Sequence, residues 1–310
     1  MTGIPKKVFS QGLSILIILG LAFFLANNWQ KFSSVTQLSV FHVTALAGII
    51  LITWALGSYQ TVLLMRQAGV HVGFFEAVFL LVGMHLGNYL PMRAGTLIRM
   101  NYFKRVHNLQ YITFSGLFSA KTLLMIASTS FLGCIGLAGL WFSNEKNLLP
   151  VLLFYSGVTV LSFVACIVPL PKKNDSQHFI GKSWNHFMEG YEAIRNNPKL
   201  LLQLIGLLLL QYLAFALRFW ISFTAIGKEL NPFVFLVLAP TTLFLSIFSL
   251  TPGNLGLREW LIGFLSVAVG LDLESGVFAG IIDRAVLMAC TFVLGGFSLV
   301  YIRNRINQER

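Results

Sequence analysis

Acidic side chains are scarce in this sequence: Asp and Glu together number 11 in 310 residues, against 22 Lys plus Arg. Enzymes that work through paired carboxylates or carboxylate-held metals need such residues in clusters. No Asp-x-Asp, His-x4-Asp or His-Glu-x2-His pattern occurs. The phosphate-cradling Gly-x4-Gly-Lys-Ser/Thr motif is missing too, so drive by ATP would require another subunit. Cys134, Cys166 and Cys290 stand singly in apolar stretches without metal-ligand spacing and read as small packing residues. No metal and no cofactor is expected, and no catalytic motif marks an enzyme.

Charge of either sign is thin. Charged residues make up 11% of the chain, where soluble domains carry roughly 25%, and the mean hydropathy is +0.77. No Asp, Glu, Lys or Arg lies between Lys7 and Lys31, Lys31 and Arg66, Lys146 and Lys172, or Arg284 and Arg303. Each gap accommodates a helix of about 20 residues. The whole of 1–310 therefore reads as one all-α domain, a polytopic helical membrane protein. Spans fall at about 11–26, 40–63, 112–141, 148–170, 199–226 and 275–301, divided by loop-like NNWQK, SNEKN and PKKND. The basic N-terminus and the apolar run after it look like a secretory leader, but no small-x-small cleavage site follows, so they read as an uncleaved first span.

Two apolar pieces, about 74–110 and 231–272, break where a span should continue. One contains Leu90-Pro91 and then Gly95, the other Thr251-Pro252 and then Gly256, each followed by an arginine. Charge decides how they run. If each is a re-entrant hairpin, about six full spans remain, and the basic loop 171–198 and both termini face the cytoplasm of a cell-membrane protein. Fifteen of the 22 Lys and Arg are then cytoplasmic, only Lys31, Lys146 and Lys228 lie outside, and Lys121, Arg218, Arg258 and Arg284 fall within hydrophobic stretches. A complete crossing at 74–90 would turn the basic loop outward. The net charge of +11 is thus a topology signal, not a nucleic-acid footprint. The hairpins enter from opposite sides, as the broken helices of inverted-repeat transporters do around a mid-bilayer site.

Proline suits the first turn of a helix and disfavours helix before it, so Pro91 and Pro252 are expected to restart short helices after each break. Such starts leave backbone N–H groups free at the positive end of the helix dipole, and glycines (Gly95, Gly253, Gly256) let a headgroup come close. Arg93, Arg99 and Arg258 add bidentate donors suited to phosphate. Gly95, Arg99 and Tyr102 share one helical face. The indicated ligand is an anionic lipid headgroup. The blander reading of Arg93, Lys104 and Arg105 is anchoring at the interface by snorkelling. Arg258 follows 28 residues without a charge and could simply pair with Glu259. Charge at mid-bilayer costs about 2.5–3.5 kcal/mol even on the lenient insertion scale, which calls for a partner or a cavity.

Further buried-looking charge lies in three spans. Gly276, Gly280 and Arg284 form a small-residue stripe below an arginine. Gln203, Gln211 and Arg218 share one face of another helix. Lys121 is the last, with Asp283 and Glu76 as candidate counter-ions. For all of these the plain alternative is an interhelical hydrogen bond, and His85 likewise reads as a bonded core or interface residue.

The segments NYLPMRAGTLIRMNYFKR and TPGNLGLREWLIGFLSVAVGLDLESGVFAGIIDRAV, taken together, resemble the lysylphosphatidylglycerol synthase transmembrane region family of flippase-like membrane proteins, over roughly residues 10 to 305. The chain departs from the usual pattern in two places. Thr96 follows Gly95 where the family usually has Glu, and Ala120-Lys121 stands where a Glu-Arg pair is usual, which makes Lys121 the stand-in for that arginine. The resemblance implies translocation or binding of an anionic phospholipid, aminoacylated phosphatidylglycerol included, or of a polyprenyl-phosphate-linked lipid. It does not imply aminoacyl transfer, which in fused members resides in a soluble domain; only RNRINQER follows the last span here. Two alternatives stand beside a flippase: a lipid-binding partner that regulates a lipid-modifying or glycan-synthesis enzyme, and an integral-membrane glycosyltransferase.

Overall fold

A computed structural model of the chain describes residues 19–35, 38–90, 94–142, 149–168, 179–247 and 251–308, and every regular element among them is helical. Residues 19–27 form α1. There follow α2 (Trp29–Val35), α3 (Val40–Gln67), α4 (Phe74–Gly87), α5 (Ala94–Val106), α6 (Tyr111–Phe142), α7 (Leu149–Ile167), α8 (Phe179–Arg195), α9 (Pro198–Thr224), α10 (Pro232–Ile247), α11 (Leu257–Ala268) and α12 (Leu273–Gln308). The protein is a polytopic helical membrane protein. Among the described residues α3, α6, α9 and α12 are long and apolar enough to cross a bilayer. The expected spans at 11–26 and 148–170 lie partly outside the described residues, as do Pro91, Arg93 and residues 171–178 of the basic loop; most of the rest of that loop is the helix α8.

Local chemistry sets the helix starts. Ser39 caps α3, accepting from the His42 N–H at 3.4 Å while the His42 ring receives the Ser39 N–H. Asn197 caps α9 through the Leu200 N–H at 3.1 Å, with Pro198 in the first turn. Asp272 does the same for α12 through the Ser275 N–H at 2.9 Å.

Helices α3 and α9 pack side by side, and Asn197 at the start of α9 donates to Gln67 at the end of α3 at 3.1 Å. The pair is therefore antiparallel. Because α4–α5 follows the end of α3 and α10–α11 follows the end of α9, the two hairpins start from opposite ends of the bundle. Each closes at its base. Glu76 in the first turn of α4 receives the Tyr102 hydroxyl at 2.8 Å and lies 2.7 Å from the His107 ring. Across the other base, Lys228 pairs with Asp272 at 3.5 Å. The tips meet in the interior, where the Gly253 N–H donates to the Asn88 carbonyl at 3.0 Å.

Apolar packing is divided accordingly. One buried cluster joins the α3 end, α4, α5, α6, α8 and the first half of α9, with Leu64, Leu80, Phe103, Leu117, Met188 and Leu204 at its centre. A second joins the last turns of α9 to α10, α11 and the early part of α12, through Phe219, Phe223, Leu238, Ile262 and Phe278. The helix breaks lie between these two clusters. The Gly276 and Gly280 stripe lets α11 approach closely: a Cβ at Gly276 would meet Gly263 Cα at 2.7 Å, and one at Gly280 would meet Glu259 Cα at 3.4 Å.

Candidate functional site

Where the two hairpin tips meet, a cavity of about 410 Å³ opens among α3, α4, α5, α6, α9, α10, α11 and α12. Its charged wall is Lys121 from α6, Arg218 from α9, Arg258 from α11 and Arg284 from α12. Arg284 lies eleven residues into α12, so the cavity is about 16 Å in from that helix end, well inside the bundle.

The arginines are held by carboxylates behind them. Asp283 is fully buried; its Oδ1 receives Arg218 Nε at 2.9 Å and its Oδ2 receives Arg258 Nη2 at 2.7 Å. One carboxylate thus ties α9 and α11 to α12, and the Asp283 counter-ion expectation is met by two partners at once. Glu259, on the turn after Gly256, is 1% exposed and lies 3.9 Å from Arg284 Nε. That is an ion-pair distance, not a hydrogen bond. Arg258 and Glu259 therefore do not simply neutralise one another: Arg258 turns to Asp283 and Glu259 to Arg284. Arg284 also donates to the Gly253 carbonyl and lies 5.5 Å from the centre of the Tyr89 ring. Both tips are in this way fastened to one guanidinium.

Backbone geometry explains the glycine at the second tip. Pro252–Asn254 forms a single 3-10 turn in which Gly253 has φ 58°, a left-handed conformation that costs a side chain little only at glycine. A Cβ there would also press on the Tyr89 ring at 2.8 Å. Gly256 has φ 79° and is the N-cap of α11. Since the Gly253 N–H is given to Asn88, it is not free for a ligand. This corrects the expectation of an unpaired amide there: the opposing tip takes it.

The first hairpin departs more from expectation. Gly95, Arg99 and Tyr102 do share a face, and all are buried, but that face packs against neighbouring helices. Gly95 lies on the Met84 carbonyl of α4, with no room for a Cβ. Arg99 donates to Thr61 Oγ1 at 2.6 Å, reaches Met84 Sδ at 3.7 Å and lies 4.5 Å from the Phe118 ring centre. It stands off the cavity wall. Hairpin one presents Leu81, Met84, His85, Asn88, Tyr89 and Thr96 to the cavity, with no Lys or Arg among them.

Of the other wall residues, Trp54 carried no motif in the sequence. Trp54 and His85 stack at 5.9 Å between ring centres, and Gln211 accepts from Gln60 at 3.0 Å and donates to the Thr53 carbonyl at 3.2 Å. The Gln203, Gln211 and Arg218 stripe divides: Gln211 and Arg218 face the cavity, whereas Gln203 is exposed. Glu76 serves the hairpin base and not the cationic site. Asn88 and Tyr89 had one sequence signal, their place just before the Pro91 break.

No curated protein and no solved structure matches the chain. A family model does, that of the lysylphosphatidylglycerol synthase TM region, over residues 11–295. The cationic cavity between two broken hairpins is thus a feature of a chain that belongs to the lysylphosphatidylglycerol synthase transmembrane region family.

Proposed function

We propose that the cavity binds the phosphate of an anionic lipid headgroup, from a phospholipid or a polyprenyl-phosphate-linked lipid, and that the protein carries this headgroup across the bilayer as a flippase. One observation carries the reading: Arg218, Arg258, Arg284 and Lys121 converge on one cavity deep inside a membrane bundle. Desolvated cations at that depth need a cavity or a partner. Two buried carboxylates stand against these four cations and pair with the three arginines, so the site is left short of negative charge, which a phosphate would supply. A polar groove replaces the hydration that the phosphate loses, while the acyl chains stay in lipid. No chemical step on the lipid is part of the proposal.

The orientation completes it: both termini in the cytoplasm of a cell-membrane protein, as the charge distribution favours. Single cysteines at 175 and 306 are expected to label from the cytoplasm and one at 145 from outside; external labelling at 175 would reverse the arrangement. The function is tested by reconstitution in liposomes with fluorescent anionic and zwitterionic lipids. Headgroup-selective scrambling that collapses in Arg258→Ala at matched protein level supports a flippase. A wild-type rate in that variant overturns the site.

A further inference from the structure

Among the described residues the cavity wall contains no Asp and no Glu. Its charged members are all cations, and the two nearest carboxylates stand behind them. Asp283 has one oxygen on Arg218 and the other on Arg258, and Glu259 is buried beside Arg284. Besides the His85 ring, the remaining polar side chains that face the cavity are uncharged, with Asn88, Thr96, Gln211 and Thr242 among them. A phosphate therefore meets donors on several sides. An ammonium carried by the same headgroup meets guanidinium groups and no carboxylate on the wall, at a depth in the bundle where charge repulsion is stronger than in bulk water.

Resting on the headgroup reading above, we propose that this site selects phosphate-bearing headgroups that have no ammonium group and rejects aminoacylated and ethanolamine headgroups. The substrate class is the acidic, unmodified lipid: a glycerol-type phosphodiester or a phosphomonoester. Selection works by exclusion. The phosphate contact is common to both classes of lipid, and the discrimination comes from the charge that the wall leaves unanswered.

Thr96 gives the means to test this. It lies on the wall and is the third residue of α5, where a carboxylate is favoured by the helix dipole. The full-length protein is loaded with phosphatidylglycerol, lysyl-phosphatidylglycerol and phosphatidylethanolamine of matched acyl chains, and retained lipid is counted by native mass spectrometry. Phosphatidylglycerol is expected to be retained at least about tenfold better than either amine-bearing lipid. Thr96→Glu should narrow that gap to lysyl-phosphatidylglycerol, and Thr96→Gln, of similar size without charge, should leave it. Equal retention of all three by the wild-type protein, or the same gap in Thr96→Glu, overturns the selection and leaves the headgroup site standing. Retention of none overturns both. Displacement of phosphatidylglycerol by soluble glycerol 3-phosphate but not by its ethanolamine ester supports the charge rule independently of the acyl chains.

Discussion

The two hairpins carry similar tips and do different work. Hairpin two, with the helices around it, supplies a buried charge network in which Arg258, Arg218, Asp283, Arg284 and Glu259 interlock across three helices. Hairpin one supplies Asn88, Tyr89 and Thr96 to the cavity and keeps its arginine elsewhere, against Thr61 and Phe118. Proline and glycine at matched spacing, each followed by an arginine, thus made a guanidinium wall on one side and a packed brace without Lys or Arg at the cavity on the other. What separates them is the neighbouring helix. Arg258 finds a carboxylate on α12, and Arg99 finds a hydroxyl and aromatic rings on α3 and α6.

The strongest way to break this comparison is to remove the carboxylate that only one side has. Asp283→Ala leaves Arg218 and Arg258 buried without their common partner, and breaking a buried pair in this manner costs about 3–5 kcal/mol. Loss of thermal stability in detergent is the readout, with lipid retention measured on what remains folded. A stability change within the range of ordinary surface substitutions would mean that the network is hydrated and that the arginines do not depend on it.

The next effect separates function from packing. Arg258→Lys keeps the charge but loses the bidentate fork, so headgroup-selective transport should fall by at least about tenfold with little change in folding. Arg99→Lys should do the reverse, lowering stability through lost contacts with Thr61 and Phe118 while the surviving protein transports at the wild-type rate. An equal loss of selectivity in both variants would restore symmetry between the hairpins.

Both breaks are legible in the sequence, because a proline in an apolar run disrupts helix wherever it lies and because charge counts discriminate between crossing and returning. The small-residue stripe at Gly276 and Gly280 was legible for the same kind of reason: spacing on a single helix fixes which residues share a face. The site was legible only in part. Arg258, Arg284, Arg218 and Lys121 stood out as charges in apolar surroundings, and the cavity gathers all four. Arg99 stood out equally and is off the wall, since helical spacing says which residues travel together and not which neighbour they meet. Trp54 gave no signal beyond size, and Asn88, His85 and Gln211 gave only a place before a break, at a helix end or on a polar stripe, because their meeting on one wall is produced by contacts between separate helices.

A smaller effect tests the contact between the tips. Gly253→Ala combines a left-handed backbone position with a Cβ against the Tyr89 ring, a cost of about 1–2 kcal/mol from the backbone alone. The expected result is a modest drop in melting temperature together with faster hydrogen exchange at the tip amides. Gly95→Ala in hairpin one faces the Met84 backbone instead of a movable ring, so it should destabilise more than Gly253→Ala. The opposite order would indicate that the first hairpin yields more readily than its packing implies.

The smallest expected effect lies at the base of hairpin two, far from the cavity. Asp272 caps α12 through the Ser275 N–H at 2.9 Å, accepts the Ser275 hydroxyl, and pairs with Lys228 at 3.5 Å. Partial burial raises its pKa, but the Ser275 hydrogen bonds and the Lys228 charge lower it further, which holds the folded value below the ordinary 3.8. A carboxyl with a depressed folded pKa contributes stability that is complete above its unfolded value and is lost as the pH falls through the folded one. The group is half exposed, so the cap sets the scale: Asp272→Ala should cost about 1 kcal/mol at neutral pH. Asp272→Asn, which can still accept the Ser275 N–H but offers Lys228 no charge, should cost less, because exposed ion pairs contribute only about 0–1 kcal/mol. Melting curves of the wild-type protein and Asp272→Ala should therefore converge as the pH is lowered below 3.8. A gap of the same size at acid and neutral pH would show that the charge on Asp272 carries none of the effect and that the hairpin base is held by the uncharged cap alone.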